Sequence, residues 1–253
     1  MTTWLHVFKA TKLLKMISCP DCHSTKIKKN GLTHYGKQNH KCKNCGRQFV
    51  LNNTHTISSY TKGLIRNFLK ERISLQAICR CFSVSMTWLM DFAVKEWLST
   101  PDNLGLSDHS SYIDASNCLQ ILDFQADEMW SFVGCKANKA WIWVVYDPHR
   151  GKVISYHIGS RGKESAQALW TKLPSAYKDH CSFSTDDWEA YQSVIPKTQH
   201  LIGKAHTHNI EGIFATFRAR ISRLVRKSLS FSKIWKNHVA AIGYFFWQFN
   251  IET

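Results

Sequence analysis

Acidic residues are scarce in this sequence. Across 253 residues Asp and Glu number 18 against 33 Lys and Arg, giving a formal charge of +15 and a pI near 9.5. The first 55 residues hold a single acid, Asp21, among ten basic side chains. An excess of this sign points to a polyanionic partner, held by neutralising phosphates and releasing their counterions. Also missing is an apolar run of about 20 residues, so no membrane-spanning helix is expected. Nor is there a basic amphipathic helix of the kind that lies on an anionic membrane surface. The start, MTTWLHVFKATKLLK, lacks the long apolar core and small-residue cleavage site of a signal peptide. Internal repeats and low-complexity tracts are absent. What remains is a cytoplasmic, nucleic-acid-binding protein whose 44% hydrophobic share suits a sizeable core.

In a reducing compartment, closely spaced cysteines are more often metal ligands than disulfides. CPDC and CKNC set Cys19, Cys22, Cys42 and Cys45 in two C-x2-C pairs separated by nineteen residues. That spacing lets two tight turns present four thiolates to a structural zinc ion with no open position for water. His23, His34 and His40 lie nearby and are read as surface or phosphate-facing residues beside a complete ligand set. Cys79, Cys81, Cys118, Cys135 and Cys181 lack such pairing and are read as small apolar residues.

Residues 56–100 read as helical. In ISLQAICRCFSVSMTWLMDFAVKEWL, Ser74 is placed to cap a helix with Leu75, Ile78 and Phe82 on one face. A break at Ser83 and Val84 precedes a second helix capped by Ser85. A helix-turn-helix would leave Ser85, Met86 and Thr87, at the start of that second helix, free to enter a major groove. An ordinary helical hairpin used for packing fits the same periodicity. STPDNLGLSDHSS, residues 99–111, has the composition of a linker.

Beyond it the pattern turns to mixed α/β. FQADEMWSFVGC, AWIWVVYD and KVISYHIG read as three antiparallel strands, the last two joined through the turn DPHRG. A helix, a short strand CSFST, a helix start at DWEAYQSVI, a strand in KTQHLIGKA and a long basic helix NIEGIFATFRARISRLVRK follow. This order suits a mixed sheet flanked by helices. It places Asp127 within the first strand, Asp186 at the end of the fourth and Glu211 near the start of the long helix. Three converging carboxylates suit Mg2+ or Mn2+, and two such ions about 4 Å apart can drive phosphodiester displacement. Taken singly, Asp186 also fits a helix cap and Glu211 a helix-dipole partner. Glu128, Asp187, Asp123, Asp147 and Glu189 compete for the same role, although Asp127 and Glu128 must point to opposite faces of one strand. Trp130 and Trp188 are read as core residues.

The passages ISCPDC, CKNC, ADEMWSFVG, STDDWEAY, NIE and RLVRKSLSFSK occur here in the order in which they resemble a bacterial DDE transposase of the insertion sequence one family. The resemblance implies a zinc ribbon over 16–55, a helix-turn-helix over 56–100, a linker over 101–119 and a ribonuclease H-like catalytic domain over 120–253. Residues 1–15 stand outside it as an unmatched extension. Carried over by motif, it makes Asp127, Asp186 and Glu211 the catalytic acids, binding two Mg2+ (or Mn2+) ions. Arg218, Arg220, Arg223, Arg226 and Lys227 are expected on backbone phosphates. The activity implied is DNA transposition: binding the element's terminal inverted repeats, strand cleavage and strand transfer, by an oligomer of at least two chains. Where the family often has His and Asn shortly after the Glu, this chain has Gly212, Ile213 and Phe214.

Overall fold

A computed structural model describes residues 17–51, 57–106, 123–224 and 231–253. The chain divides into two compact units, Met1–Ser58 and Ser59–Thr253.

The first unit is a three-stranded antiparallel sheet, β1 (Ile27–Leu32), β2 (Gln38–Cys42) and β3 (Gln48–Val50), in that order. Too small for a large apolar core, it has the four cysteines at its base. Each C-x2-C pair is a tight turn closed by a residue in the left-handed region: His23 (φ 55) donates its N–H to the Cys19 carbonyl, and Gly46 (φ 76) to that of Cys42. His23 is thus a backbone element of the turn. His40, expected at the surface, is buried on β2 and stacked on Phe49.

The second unit opens with α1 (Ser59–Leu69), α2 (Leu75–Phe82) and α3 (Met86–Leu98). Ser74 caps α2 by accepting from the Ala77 N–H, and Ser85 caps α3 by accepting from the Trp88 N–H, both at 3.2 Å. Ser83 between them takes the left-handed conformation (φ 51) that stops α2. The helices α2 and α3 bend by 114° and close, with α1, over fully buried Ile65, Ile78 and Leu89. Among the described residues no single helix is long and apolar enough to cross a membrane.

The linker expectation needs correction at its start. Leu104 is buried in the main core, and its carbonyl receives the Asn250 side chain. At Gly105 (φ +72) a Cβ would stand 2.7 Å from the Trp247 indole, so Pro101–Leu106 is a fitted loop. Residues 107–119 lie outside the described ones. The helical region is no separate body either: Ala93 and Trp97 of α3 pack against Ala241 and Tyr244.

The main sheet contains β4 (Asp123–Phe132), β5 (Lys139–Asp147), β6 (Lys152–Gly159), β7 (Ser182–Thr185) and β8 (His200–Ile202), in the order β6-β5-β4-β7-β8. The first three are antiparallel, and β7 and β8 add in parallel, so β4 is central. This is the mixed sheet flanked by helices that the sequence predicts. Helices α4 (Lys163–Lys172), α5 (Ser175–His180) and α6 (Glu189–Gln192) cover one face; α7 (His208–Arg220) and α8 (Trp235–Glu252) cover the other. With both faces covered, β5 reads as a nearly unbroken apolar run, AWIWVVY, instead of alternating.

One helical expectation changes, and one helix was not expected. The predicted basic helix ends at Arg220, because Ile221 is extended and a 3-10 turn follows at Ser222–Leu224. The C-terminal segment, without a clear polar face in sequence, is the helix α8, buried on several sides through Ile242, Phe245, Phe246 and Phe249.

Candidate active site

Alternation along β4 sends Phe124, Ala126 and Glu128 towards α4–α6, and Gln125, Asp127 and Met129 towards α7. Strands β4 and β7 run parallel with Phe124 opposite Phe183 and Gln125 opposite Ser184. Carried two residues further, this register sets Asp186, just past the end of β7, beside Asp127, with the strands about 4.8 Å apart. Asp123 secures the pairing at its start, accepting from Ser184 Oγ (2.9 Å) and Ser182 Oγ (3.2 Å).

The third acid is brought in by the helix. Thr207, before α7, makes no side-chain cap. Instead the buried Gln125 reaches across from β4, its Oε1 accepting the Ile210 N–H at 2.9 Å. The next residue is Glu211. The first turn of α7 is therefore fastened to the strand that carries Asp127, two residues from it.

Electrostatics report the convergence. Asp127 is pushed up to about 7, first by burial, with the charges of Glu128, Asp186 and Glu211 adding, against the Glu128 N–H that its carboxylate accepts at 2.7 Å. Besides Asp123, three of the competing acids are engaged elsewhere. Glu128 is bound by Arg161 Nε (2.7 Å) and Tyr191 Oη (3.1 Å) on the opposite face; Asp187 accepts from Gln192 Nε2 (2.6 Å). Asp147 is buried in its turn, accepting the N–H groups of His149 and Arg150. Asp186 also accepts the Trp188 N–H at 3.2 Å, a turn contact ahead of α6; that helix has Trp188 at its N-cap and no side-chain cap bond, so the helix-cap role weighed for Asp186 is not taken up.

Trp188 is half-buried and packs against the core on the α4–α6 face, its ring 4.3 Å from the Arg161 guanidinium, which also stacks on Trp141 at 4.6 Å. Sequence reasoning missed Arg161 and Gln125: neither SRGKE nor FQAD carries a local signal, since each acts on a residue distant in the chain.

In the first unit Sγ of Cys19 lies 3.5 Å from that of Cys45, and Cys22 3.6 Å from Cys42, with all four sulfurs within 4.8 Å of one another. Disulfide sulfurs stand about 2.05 Å apart. A tetrahedron with bonds of about 2.3 Å has edges near 3.8 Å, so the geometry fits zinc. Cys22 is lowered to about 6, chiefly by the Ser24 N–H, and Cys42 is lowered by the Cys45 N–H, while Cys45 is pushed up to about 12 by the thiols beside it. Among the described residues this is the one group tight enough to hold an ion as it stands. Cys81 and Cys135, expected as apolar fillers, are exposed; Cys181 is buried and Cys79 half-buried.

Ser85, Met86 and Thr87 are all exposed at the start of α3. The arginines of the predicted phosphate-binding set behave otherwise. Arg220 pairs with Glu71 (3.0 Å) and Glu252 (2.9 Å), and Lys70 joins Glu252 at 2.7 Å. Arg223 donates to Ser232 Oγ (2.8 Å), lies 4.5 Å over Trp97, and is lowered to about 10 by burial. Both tie the helical region to the sheet domain, which corrects the phosphate assignment for these two. Arg218 is half-buried among intrachain contacts. Arg226 and Lys227 lie outside the described residues.

The chain is basic, with four convergent thiols, two capped helices joined by a tight turn, and carboxylates gathered on a mixed sheet. Residues 120–251, more than half of the chain, match the family model described as IS1 transposase. The chain belongs to the IS1 transposase family. Its relatives include the insertion element iso-IS1n protein InsB of Shigella dysenteriae, 39% identical over 121 residues, which are 48% of this chain and 91% of that protein. The insertion element IS1 2 protein InsB of Escherichia coli K12 is 34% identical over the same length, covering 71% of its own chain. Two solved structures, a pre-cleavage Mos1 transpososome and the Mos1 strand transfer complex, align at 10% and 11% identity. They cover 81% and 79% of this chain, and 79% and 77% of theirs, with TM-scores of 0.29 and 0.31, too low to bear on the fold. Function follows from the family: the protein is a DNA transposase, and DNA is its substrate.

Proposed function

We propose that Asp127, Asp186 and Glu211 are the catalytic carboxylates and that together they hold two Mg2+ (or Mn2+) ions. The observation that carries this reading is the shared face: the β4–β7 register sets Asp127 beside Asp186, and Gln125 fastens the helix start that bears Glu211. The donor set fits, being hard oxygen atoms whose mutual repulsion, visible at Asp127, a divalent cation would relieve. Such ions activate an attacking oxygen and stabilise a leaving one. The chain's own part is to hold them between the middle of β4, the end of β7 and the start of α7. The first displacement, by water, frees a 3′ hydroxyl at the element end; the second, by that hydroxyl, joins it to target DNA, and one site serves both.

The exposed start of α3, with Ser85, Met86 and Thr87, is the proposed reader of the terminal inverted repeats. Its scarcity of Arg, Asn and Gln leaves few side chains for bidentate base contacts. Arg218, Arg226 and Lys227 remain candidates for backbone phosphates. Cys19, Cys22, Cys42 and Cys45 hold one structural zinc. Bringing two element ends together calls for at least a dimer, acting on chromosomal DNA in the cytoplasm.

A strand-transfer assay with matched element ends and Mg2+ tests the catalytic assignment. Asp186→Ala is expected to abolish cleavage and joining while DNA binding persists; unchanged joining refutes the assignment.

A further inference from the structure

The residue beside Asp127 is a buried acid on the wrong face for the site, and its environment bears on Asp186. The side chain of Glu128 is 1% exposed and carries the Arg161 ion pair at 2.7 Å. Arg161 lies in the connection between β6 and α4, its guanidinium held between the rings of Trp141 and Trp188. Trp188 in turn donates its indole N–H to the Arg161 carbonyl (3.3 Å) and its backbone N–H to the Asp186 carboxylate (3.2 Å). Tyr191, one turn further on, donates to the second oxygen of Glu128.

Asp186 needs such support. Strand β7 is four residues long and α6 also four, so residues 186–188 form an irregular turn between two short elements. Among the residues tying the turn and its helix to the sheet, Trp188 and Tyr191 end on the Glu128–Arg161 pair. A planar guanidinium can stack on two rings while its Nε bonds a carboxylate, which an ammonium cannot do.

We propose that Arg161 and Trp188 are positioning residues for Asp186, so that divalent-cation affinity at the site depends on a cation–π clamp anchored behind it on Glu128. This rests on Asp186 being a metal ligand.

The test is Mn2+ binding to the zinc-loaded full chain without DNA, read from free Mn2+ by electron paramagnetic resonance, beside strand cleavage as a function of Mg2+. Trp188→Ala, which leaves the Glu128–Arg161 pair intact, is expected to weaken Mn2+ binding about threefold, the scale of a cation–π contact to an exposed guanidinium. Trp188→Phe keeps a ring and should recover most of the affinity, and Arg161→Lys should behave like the alanine variant. Raising Mg2+ should restore cleavage by Trp188→Ala. A merely structural role would lower the folded fraction, seen by circular dichroism, without moving the half-saturating metal concentration. Trp188→Ala that is folded and binds Mn2+ like the parent overturns the clamp, provided Asp186→Ala has lost binding. If Asp186→Ala also binds normally, the metal-site reading itself fails.

Discussion

Gln125 offers the sharpest test of how the fold assembles the site. An α-helix leaves its first N–H groups without intrahelical partners, and a side chain just before the helix usually supplies an acceptor. Helix α7 has no such local cap, and the Ile210 N–H is met by Gln125 from the central strand. Both residues are buried, at 4% and 0% exposure, so water cannot substitute. Gln125→Leu conserves volume approximately and removes the acceptor, leaving a buried donor unsatisfied at a cost of about 1–3 kcal/mol. Urea unfolding followed by tryptophan fluorescence should show that loss. Because Glu211 is the adjacent residue, Mg2+-dependent cleavage should fall further than the folded fraction does. A variant within about 0.5 kcal/mol of the parent that cleaves at the parent rate would refute the tethering argument.

His238 should make the protein acid-sensitive. Fully buried between Ser131 Oγ (3.3 Å) and Ser232 Oγ (3.0 Å), it is lowered to about 4, first by burial and then by the charge of Arg223. The folded state keeps the ring neutral, so its contribution is complete above the ordinary value of 6.5 and is lost as pH falls towards 4. The difference amounts to about 3 kcal/mol. His238→Gln, which cannot charge, should have a flatter stability profile over that range, and parallel profiles would remove the argument. In the first unit, His23 occupies a left-handed position that glycine adopts at no steric cost. His23→Gly is expected to stabilise the zinc-loaded ribbon by about 1 kcal/mol, measured as thermal resistance. Chelation should unfold that unit, and correctly folded protein without about one zinc per chain would refute the ribbon.

Features resting on local chemistry were legible in sequence. The cysteine spacing announces four convergent thiolates because each knuckle is a five-residue turn. Ser74, Ser83 and Ser85 mark the ends of α2 and α3 because capping is settled within a few residues. The strands β4, β5 and β6 and the positions of Asp127, Asp186 and Glu211 follow from alternation, element order and the family motifs. By contrast, α8 was hidden because a helix buried on several sides shows no polar stripe, and the fitted loop Pro101–Leu106 because linkers and tight loops share their Pro, Gly and Asn. Arg220 and Arg223 were misread because charge alone does not tell a phosphate contact from an ion pair with Glu71 and Glu252 or a stack on Trp97.

The amino-acid sequence by itself determined the family, the convergence of four thiols and which acids were available, since these depend on residue types at short, fixed spacings. Only the tertiary structure decided which acids meet. The parallel register of β7 on β4 brings Asp186 to Asp127, the reach of Gln125 brings Glu211, and Arg161 engages Glu128 on the opposite face. Each is a contact between residues far apart in the chain, made only once the sheet has closed.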